Sequence, residues 1–287
     1  MNVITDARCL EYSAPDHPER PQRISNTVEL LRTQKNYPIT WHEPLPVDDK
    51  TILIAHDDAH LNHVKTATEA FANDTPAYKN ISEHARRSIG AGLQALRLAR
   101  AGELAFSLMR PPGHHATRNH AMGFCFFNSI AITTLMAQRQ GMRRVAVFDF
   151  DVHHGNGTEA ILKGRPNVLF LSVHQHPAYP GTGTESEDNC LNFPLPPHSP
   201  SEMYRAECTA ALKALRKFRP HMVCVSAGFD AYRGDPLCQQ NMEAKDFRWL
   251  GREIRELGLP VASLLEGGYS DALPELIHAY LTGLSGH

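Results

Sequence analysis

Four short apolar runs in this chain each end in polar or glycine-rich residues. Leu104-Ala105-Phe106-Ser107-Leu108 leads into Arg110-Pro111-Pro112-Gly113-His114-His115-Ala116. Arg144-Val145-Ala146-Val147-Phe148 leads into Asp149-Phe150-Asp151-Val152-His153-His154-Gly155-Asn156. Met222 to Ser226 leads into Ala227-Gly228-Phe229-Asp230, and Val261 to Leu265 into Glu266-Gly267-Gly268-Tyr269. Apolar, β-branched runs of this length read as buried strands. The segments between them carry helical patterning, and strand–helix alternation argues for a parallel sheet with helices on both faces. In such a sheet, ligands bind beyond the carboxyl ends of the strands. The expectation is therefore an α/β fold, a single-domain open parallel sheet over residues 1–287, with all four polar strand ends opening into one crevice. No linker, repeat or low-complexity tract divides the chain.

The helices are read from their stripes and ends. Arg20 to Tyr37 reads as helical and stops at Pro38. Asn80-Ile81-Ser82-Glu83 has the form of a capping box, with Ile81, Ala85, Ile89, Leu93 and Leu96 on one face and Gly102 at the end. Ser199-Pro200-Ser201-Glu202 reads as a second start, with Pro at the first helical position and Tyr204, Cys208, Ala211, Leu212 and Leu215 as the stripe. His174 to Pro200 is long for an α/β loop, and long ordered loops are often functional.

Composition excludes several classes. Hydrophobic residues make up 42% of the 287, so a packed core is expected rather than disorder. Lys and Arg total 29 against 31 Asp and Glu, a formal charge of −2, and no basic surface for nucleic acid is implied. The six cysteines have no C-x-x-C spacing and several lie in apolar runs, which suits reduced thiols in a cytoplasmic protein. The amino terminus lacks signal-peptide character, and no apolar run approaches the ~20 residues of a membrane span.

The second strand end carries the most specific chemistry. In an extended segment, residues i and i+2 share a face, so Asp151 and His153 can converge on one point. With Asp230 from another strand end they form two carboxylates and an imidazole, a donor set Zn²⁺ accepts while keeping a position open for water or substrate. Amide hydrolysis also needs a base for the water and an acid for the leaving nitrogen, and the tandem His114-His115 on its Pro-Pro-Gly turn suits this. Asp149 and Asn156 are candidates to orient the two rings. Tyr269, following two glycines, can donate its hydroxyl to a developing oxyanion.

These motifs together resemble the zinc-dependent histone deacetylase family, close to its class II branch and bacterial histone deacetylase-like amidohydrolases. The resemblance runs from His17-Pro18-Glu19-Arg20-Pro21-Gln22-Arg23-Ile24 through Arg110 to Ala116, Gly123-Phe124-Cys125-Phe126-Phe127-Asn128, Asp149 to Thr158 and Ser226 to Ala231, ending at Glu266-Gly267-Gly268-Tyr269. It implies the arginase/deacetylase-like fold. It also implies Asp151, His153 and Asp230 as zinc ligands, His115 with Asn156 as general base and acid, and His114 with Asp149 as the electrostatic member of the pair. Asn156 in place of Asp is the class II pattern, and Tyr269 matches the oxyanion-stabilising tyrosine.

The resemblance further places Gly123, Phe124 and Tyr179 along an acyl-lysine channel, Asp74 at its rim and Leu237 at its gate. A structural K⁺ would be held by Asp149, Asp151, His153, Ser172 and Val173, and Arg23 resembles an arginine beside a product-release channel. The implied substrate is acylated lysine in proteins or peptides. Polyamine-selective relatives carry Glu where this chain has Leu237.

Three other readings remain open at this point. The same chemistry would serve small acylated amines such as acetylpolyamines. An arginase-like two-manganese hydrolase would need a second carboxylate in Asp230-Ala231-Tyr232, which offers one. A module that binds acyl-lysine without turnover would not require Tyr269 and both histidines.

Overall fold

A computed structural model describes residues 1–287 and forms one eight-stranded sheet in which every paired strand is parallel. In chain order the strands are β1 (Asn2–Ile4), β2 (Thr40–His42), β3 (Ala105–Ser107), β4 (Val145–Asp149), β5 (Val168–Gln175), β6 (Cys190–Leu195), β7 (Met222–Ala227) and β8 (Val261–Leu265). Their spatial order is β2-β1-β3-β8-β7-β4-β5-β6. Strands β3, β8, β7 and β4 are thus consecutive neighbours, and their carboxyl ends are the four polar ends of the sequence.

Nine helices connect and cover the sheet: α1 (Gln22–Thr33), α2 (Asp49–Ile52), α3 (Asp58–Thr66), α4 (Ile81–Arg100), α5 (Ser129–Arg139), α6 (Asn156–Leu162), α7 (Ser201–Phe218), α8 (Ala244–Arg255) and α9 (Leu273–Ser285). Adjacent residues of β8 show that helices lie on both faces. A Cβ on Gly92 of α4 would collide with Leu264, whereas Ser263 shares a 2.8 Å hydrogen bond with the Tyr280 hydroxyl of α9. Successive strand residues point to opposite faces, so α4 and α9 cover opposite sides. No helix is long and apolar enough to cross a membrane.

Several local expectations are corrected. Asn80 precedes α4 but lies at φ 59 and gives no side-chain cap; it uses the left-handed conformation that asparagine tolerates, and its carbonyl accepts from Glu83 N–H at 2.9 Å. Ser199 does not cap α7: its hydroxyl donates to the Pro196 carbonyl at 2.7 Å, and Pro200 stays extended before the first turn. The first long helix covers Gln22–Thr33 rather than 20–37, because the Gln34 side chain accepts from Asn36 N–H and folds the chain back. The segment 174–200 contains the edge strand β6, and the amino-terminal strands β1 and β2 went unpredicted.

The amino-terminal segment is fastened to the site by a buried ion pair. Glu19 receives Arg110 Nε at 2.5 Å and Arg110 Nη2 at 2.8 Å, while Arg110 also stacks over the Tyr12 ring at 4.0 Å. Burial alone would raise the Glu19 pKa, but Arg110 and Arg23 outweigh it and hold the carboxyl below its ordinary value. Removing one partner of a buried pair strands the other charge, at a cost of about 3–5 kcal/mol. Glu19→Gln is therefore expected to lower unfolding free energy at pH 7 by about that amount, read by urea denaturation. Because the folded pKa is depressed, the contribution is fully present above the unfolded value of 4.5 and is lost as pH falls through the folded one. The gap between native chain and variant should narrow over that acidic window.

Candidate active site

The His114-His115 loop follows β3 and is held from behind by Glu266. The Gly113 and His114 N–H groups donate to Glu266 Oε2 at 2.7 and 3.1 Å. Asp149 ends β4, and the chain then turns back on itself through its own acids. Asp151 N–H donates to Asp149 Oδ1 at 3.1 Å, and His153 N–H donates to Asp151 Oδ1 at 2.9 Å. Beyond β7, Asp230 Oδ1 accepts from Val152 N–H at 2.9 Å; beyond β8, Gly267 N–H donates to Asp151 Oδ2 at 2.7 Å. Gly267 must lack a side chain here, since a Cβ would collide with Asp230 Oδ2.

These backbone bonds leave Asp151, His153 and Asp230 aimed at one point. Their ligand atoms lie within 4.8 Å of one another and all three residues are buried. His153 Nδ1 lies 3.2 Å from Asp151 Oδ1 and 3.0 Å from Asp230 Oδ2, while its Nε2 faces Cys238 Sγ at 3.4 Å. No Lys or Arg pairs with Asp149, Asp151 or Asp230. Burial, then the neighbouring Asp151, pushes the Asp230 carboxyl above its usual range. Two buried carboxylates converging without a fixed cation are costly, and a divalent metal between them would remove that cost. The two oxygens and one ring nitrogen fit such an ion.

The two neighbouring histidines are pushed in opposite directions. His114 Nδ1 lies 3.1 Å from Asp149 Oδ2, and its Nε2 lies 3.8 Å from Asp151 Oδ1. Burial lowers its pKa, but Asp151, Asp149 and Glu266 outweigh burial and raise it to about 10. His115 Nδ1 donates to Asn156 Oδ1 at 2.8 Å, which leaves Nε2 free to accept a proton. Burial, then His114 and His153, hold its pKa well below the ordinary value. Adjacent groups driven apart in this way can divide proton transfer from charge stabilisation.

Above these groups opens a cavity of about 210 Å³ lined by Asp74, His115, Gly123, Phe124, His153, Tyr179, Leu237 and Tyr269. The five residues expected along the channel all line it. Phe124 is held in the left-handed region at φ 67 by its N–H bond to Thr75 Oγ1 at 3.0 Å, and its ring meets Tyr269 edge-on at 5.6 Å. Tyr179 meets the His115 ring edge-on at 5.1 Å. Asp74 Oδ1 accepts from Gly123 N–H at 3.3 Å, which fixes the rim to the channel wall. Burial keeps the Tyr269 hydroxyl protonated by raising its pKa well above 10.

Ser172 pairs in register with Asp149 on β4 and β5, which places two of the five residues expected to hold a monovalent cation side by side. The Val173 carbonyl already accepts from the Tyr204 hydroxyl at 3.0 Å. Arg23 donates from Nε to the Gly268 carbonyl at 2.7 Å and lies 4.8 Å over the Tyr269 ring. Sequence reasoning missed Glu266, Asp235 and Cys238 as members of the site. Glu266 reaches the Gly113 and His114 amides and Asp235 reaches the Tyr269 amide across long stretches of sequence, which leave no spacing to read, and Cys238 reads as one more core thiol.

Comparison with known proteins gives a consistent answer. A histone deacetylase domain matches residues 17–284. A histone deacetylase-like amidohydrolase of Pseudomonas aeruginosa is 39% identical over 90% of this chain and 73% of its own length. The crystal structure of an acetylpolyamine aminohydrolase from Burkholderia pseudomallei superposes with a TM-score of 0.91 at 26% identity, covering 100% of this chain and 99% of that one. The HDA15 HD domain gives 0.92 at 31% identity, over 100% and 91%. A matching sheet with helices on both faces, a buried Asp-His-Asp group at its carboxyl edge and these likenesses agree, and the chain belongs to the histone deacetylase family of hydrolases.

Proposed function

We propose that this chain is a zinc-dependent amidohydrolase that removes acyl groups from lysine side chains of proteins or peptides. The observation that carries the reading is the pairing of a free-Nε2 His115 with Tyr269 across one cavity, directly above the Asp151–His153–Asp230 cluster. Zinc held by those three residues would polarise the acyl carbonyl and the attacking water. His115, oriented by Asn156, takes the proton as the water oxygen bonds to the acyl carbon. It returns that proton to the amine nitrogen as the carbon–nitrogen bond breaks, giving a carboxylate and a free amine. His114, held by Asp149 at 3.1 Å, is placed to stabilise the negative charge that develops nearby. Tyr269 donates to the oxygen of the acyl carbon as charge builds there.

Gly123, Phe124 and Tyr179 would wall the methylene stem, and Asp74 at the rim would accept from the substrate backbone. A K⁺ held by Asp149, Asp151, His153, Ser172 and Val173 would stiffen the loop that carries two zinc ligands. The six free, buried cysteines support a reducing cytoplasmic setting, and residues 1–287 would form one catalytic domain. The second reading, hydrolysis of acetylpolyamines, is supported by the full-length likeness to the Burkholderia enzyme.

Leu237 separates the two readings. It is 40% exposed at the cavity mouth and offers an apolar surface to whatever enters. A second cationic amine passing it would lose water and gain no partner from Leu237 itself. The native chain should therefore show higher kcat/KM on acetyl-lysine peptides than on acetylspermidine. Leu237→Glu should raise the polyamine-to-peptide ratio by about two- to fivefold, the yield of an exposed ion pair worth up to about 1 kcal/mol. A native preference for acetylspermidine over every acyl-lysine peptide would replace the substrate and leave the hydrolytic machinery standing.

A further inference from the structure

Asp235 lies in the loop after β7, five positions beyond Asp230, and is 7% exposed. It has no Lys, Arg or His partner among the ion pairs of the chain. Its two oxygens are met by backbone amides from two separate loops. Oδ1 accepts from Leu237 N–H at 3.0 Å, and Oδ2 accepts from Tyr269 N–H at 2.7 Å, across 34 positions of sequence. Its own N–H donates to the Tyr232 carbonyl at 2.9 Å, which anchors the carboxylate to the β7 loop.

Tyr269 needs such an anchor. Gly267 and Gly268 precede it, and Gly268 is at φ 115, a glycine conformation that does little to restrain the next residue. Leu237 forms the mouth of the same cavity whose inner wall carries Tyr269. One carboxylate thus joins the gate to the hydroxyl donor. Burying a carboxylate is expensive unless hydrogen bonds replace its water, and here both oxygens are used for this purpose.

We propose that Asp235 is a positioning residue that locks the Leu237 gate and the Tyr269 loop into one unit, so that the Tyr269 hydroxyl is aimed at the acyl oxygen. The inference rests on the role given to Tyr269 above. An asparagine at this position matches the shape but has one acceptor oxygen, and its NH₂ would face an N–H donor. One of the two loops would then come loose.

The test is a double-mutant cycle on the purified, metal-loaded chain, with kcat, KM, melting temperature and metal content measured for each variant. Asp235→Asn should lower kcat by about 10- to 100-fold, because a misplaced donor loses much of what its removal loses, roughly 10²–10³. KM should change far less than kcat. In a Tyr269→Phe background the same substitution should lower kcat less than about twofold, since coupled residues are not additive.

Equal losses in both backgrounds, or an unchanged kcat for Asp235→Asn, would overturn the positioning role while leaving Tyr269 in place. A normal kcat for Tyr269→Phe alone would overturn both readings. Hydrogen exchange on the unmodified chain decides the point if Asp235→Asn fails to fold. The Leu237 and Tyr269 amides should be protected and open at one common rate, and an unprotected Tyr269 amide would contradict the tether.

Discussion

Replacing Tyr269 with Phe is expected to lower kcat by about 10²–10³ while leaving substrate affinity nearly unchanged. The ring keeps its place because its surroundings do not depend on the hydroxyl: Phe124 lies edge-on at 5.6 Å and the Arg23 guanidinium lies 4.8 Å over its face. The backbone N–H remains bonded to Asp235. The variant loses one preorganised donor, held protonated by burial, that meets charge present only as the carbonyl carbon is attacked. Such a loss falls on kcat and kcat/KM together. Steady-state kinetics on one acyl-lysine peptide is sufficient, and a KM increase with unchanged kcat would assign Tyr269 to ground-state binding.

Replacing Asp230 with Ala is expected to have a larger effect, abolishing metal retention and turnover together. Asp230 supplies one of three converging donors, and its other oxygen accepts from Val152 N–H, which shapes the turn carrying Asp151 and His153. The variant therefore loses a ligand and loosens the other two. Metal analysis and activity on the same preparation check this. Turnover surviving in a metal-depleted Asp230→Ala preparation would remove the metal from the account.

The residues of the site were legible in the sequence because the fold puts them at predictable places. Long buried strands with β-branched interiors announce themselves, and β4, β7 and β8 were read with their polar ends. Neighbouring positions in the sheet then carry Asp151, Asp230 and Tyr269 to one edge without any long-range contact having to be guessed. The three-residue strands β1 and β2 have too few residues to show an alternation. The strand β6 lies at the sheet edge, where Pro194 is tolerated and exposure alternates, so it reads as loop.

The caps failed for a local reason. Ser199 gives its hydroxyl to the Pro196 carbonyl instead, and Asn80 adopts the left-handed conformation, from which its side chain makes no cap. The supporting carboxylates Glu266 and Asp235 were invisible for a different reason. The partners that tie them to the site are mainly main-chain N–H groups, which every residue but proline possesses, and separations of 153 and 34 positions leave no pattern. Side-chain chemistry could be read from the sequence, but its support by the backbone had to be seen in the fold.

On the proposed mechanism, one metal ion held by Asp151, His153 and Asp230 is required for hydrolysis. Titrating metal-depleted chain with Zn²⁺, while following bound metal and kcat on an acetyl-lysine peptide, tests it most directly. Activity should rise in step with bound zinc and saturate at one ion per chain. Saturation at two ions, a requirement for manganese, or full activity without bound metal would contradict it.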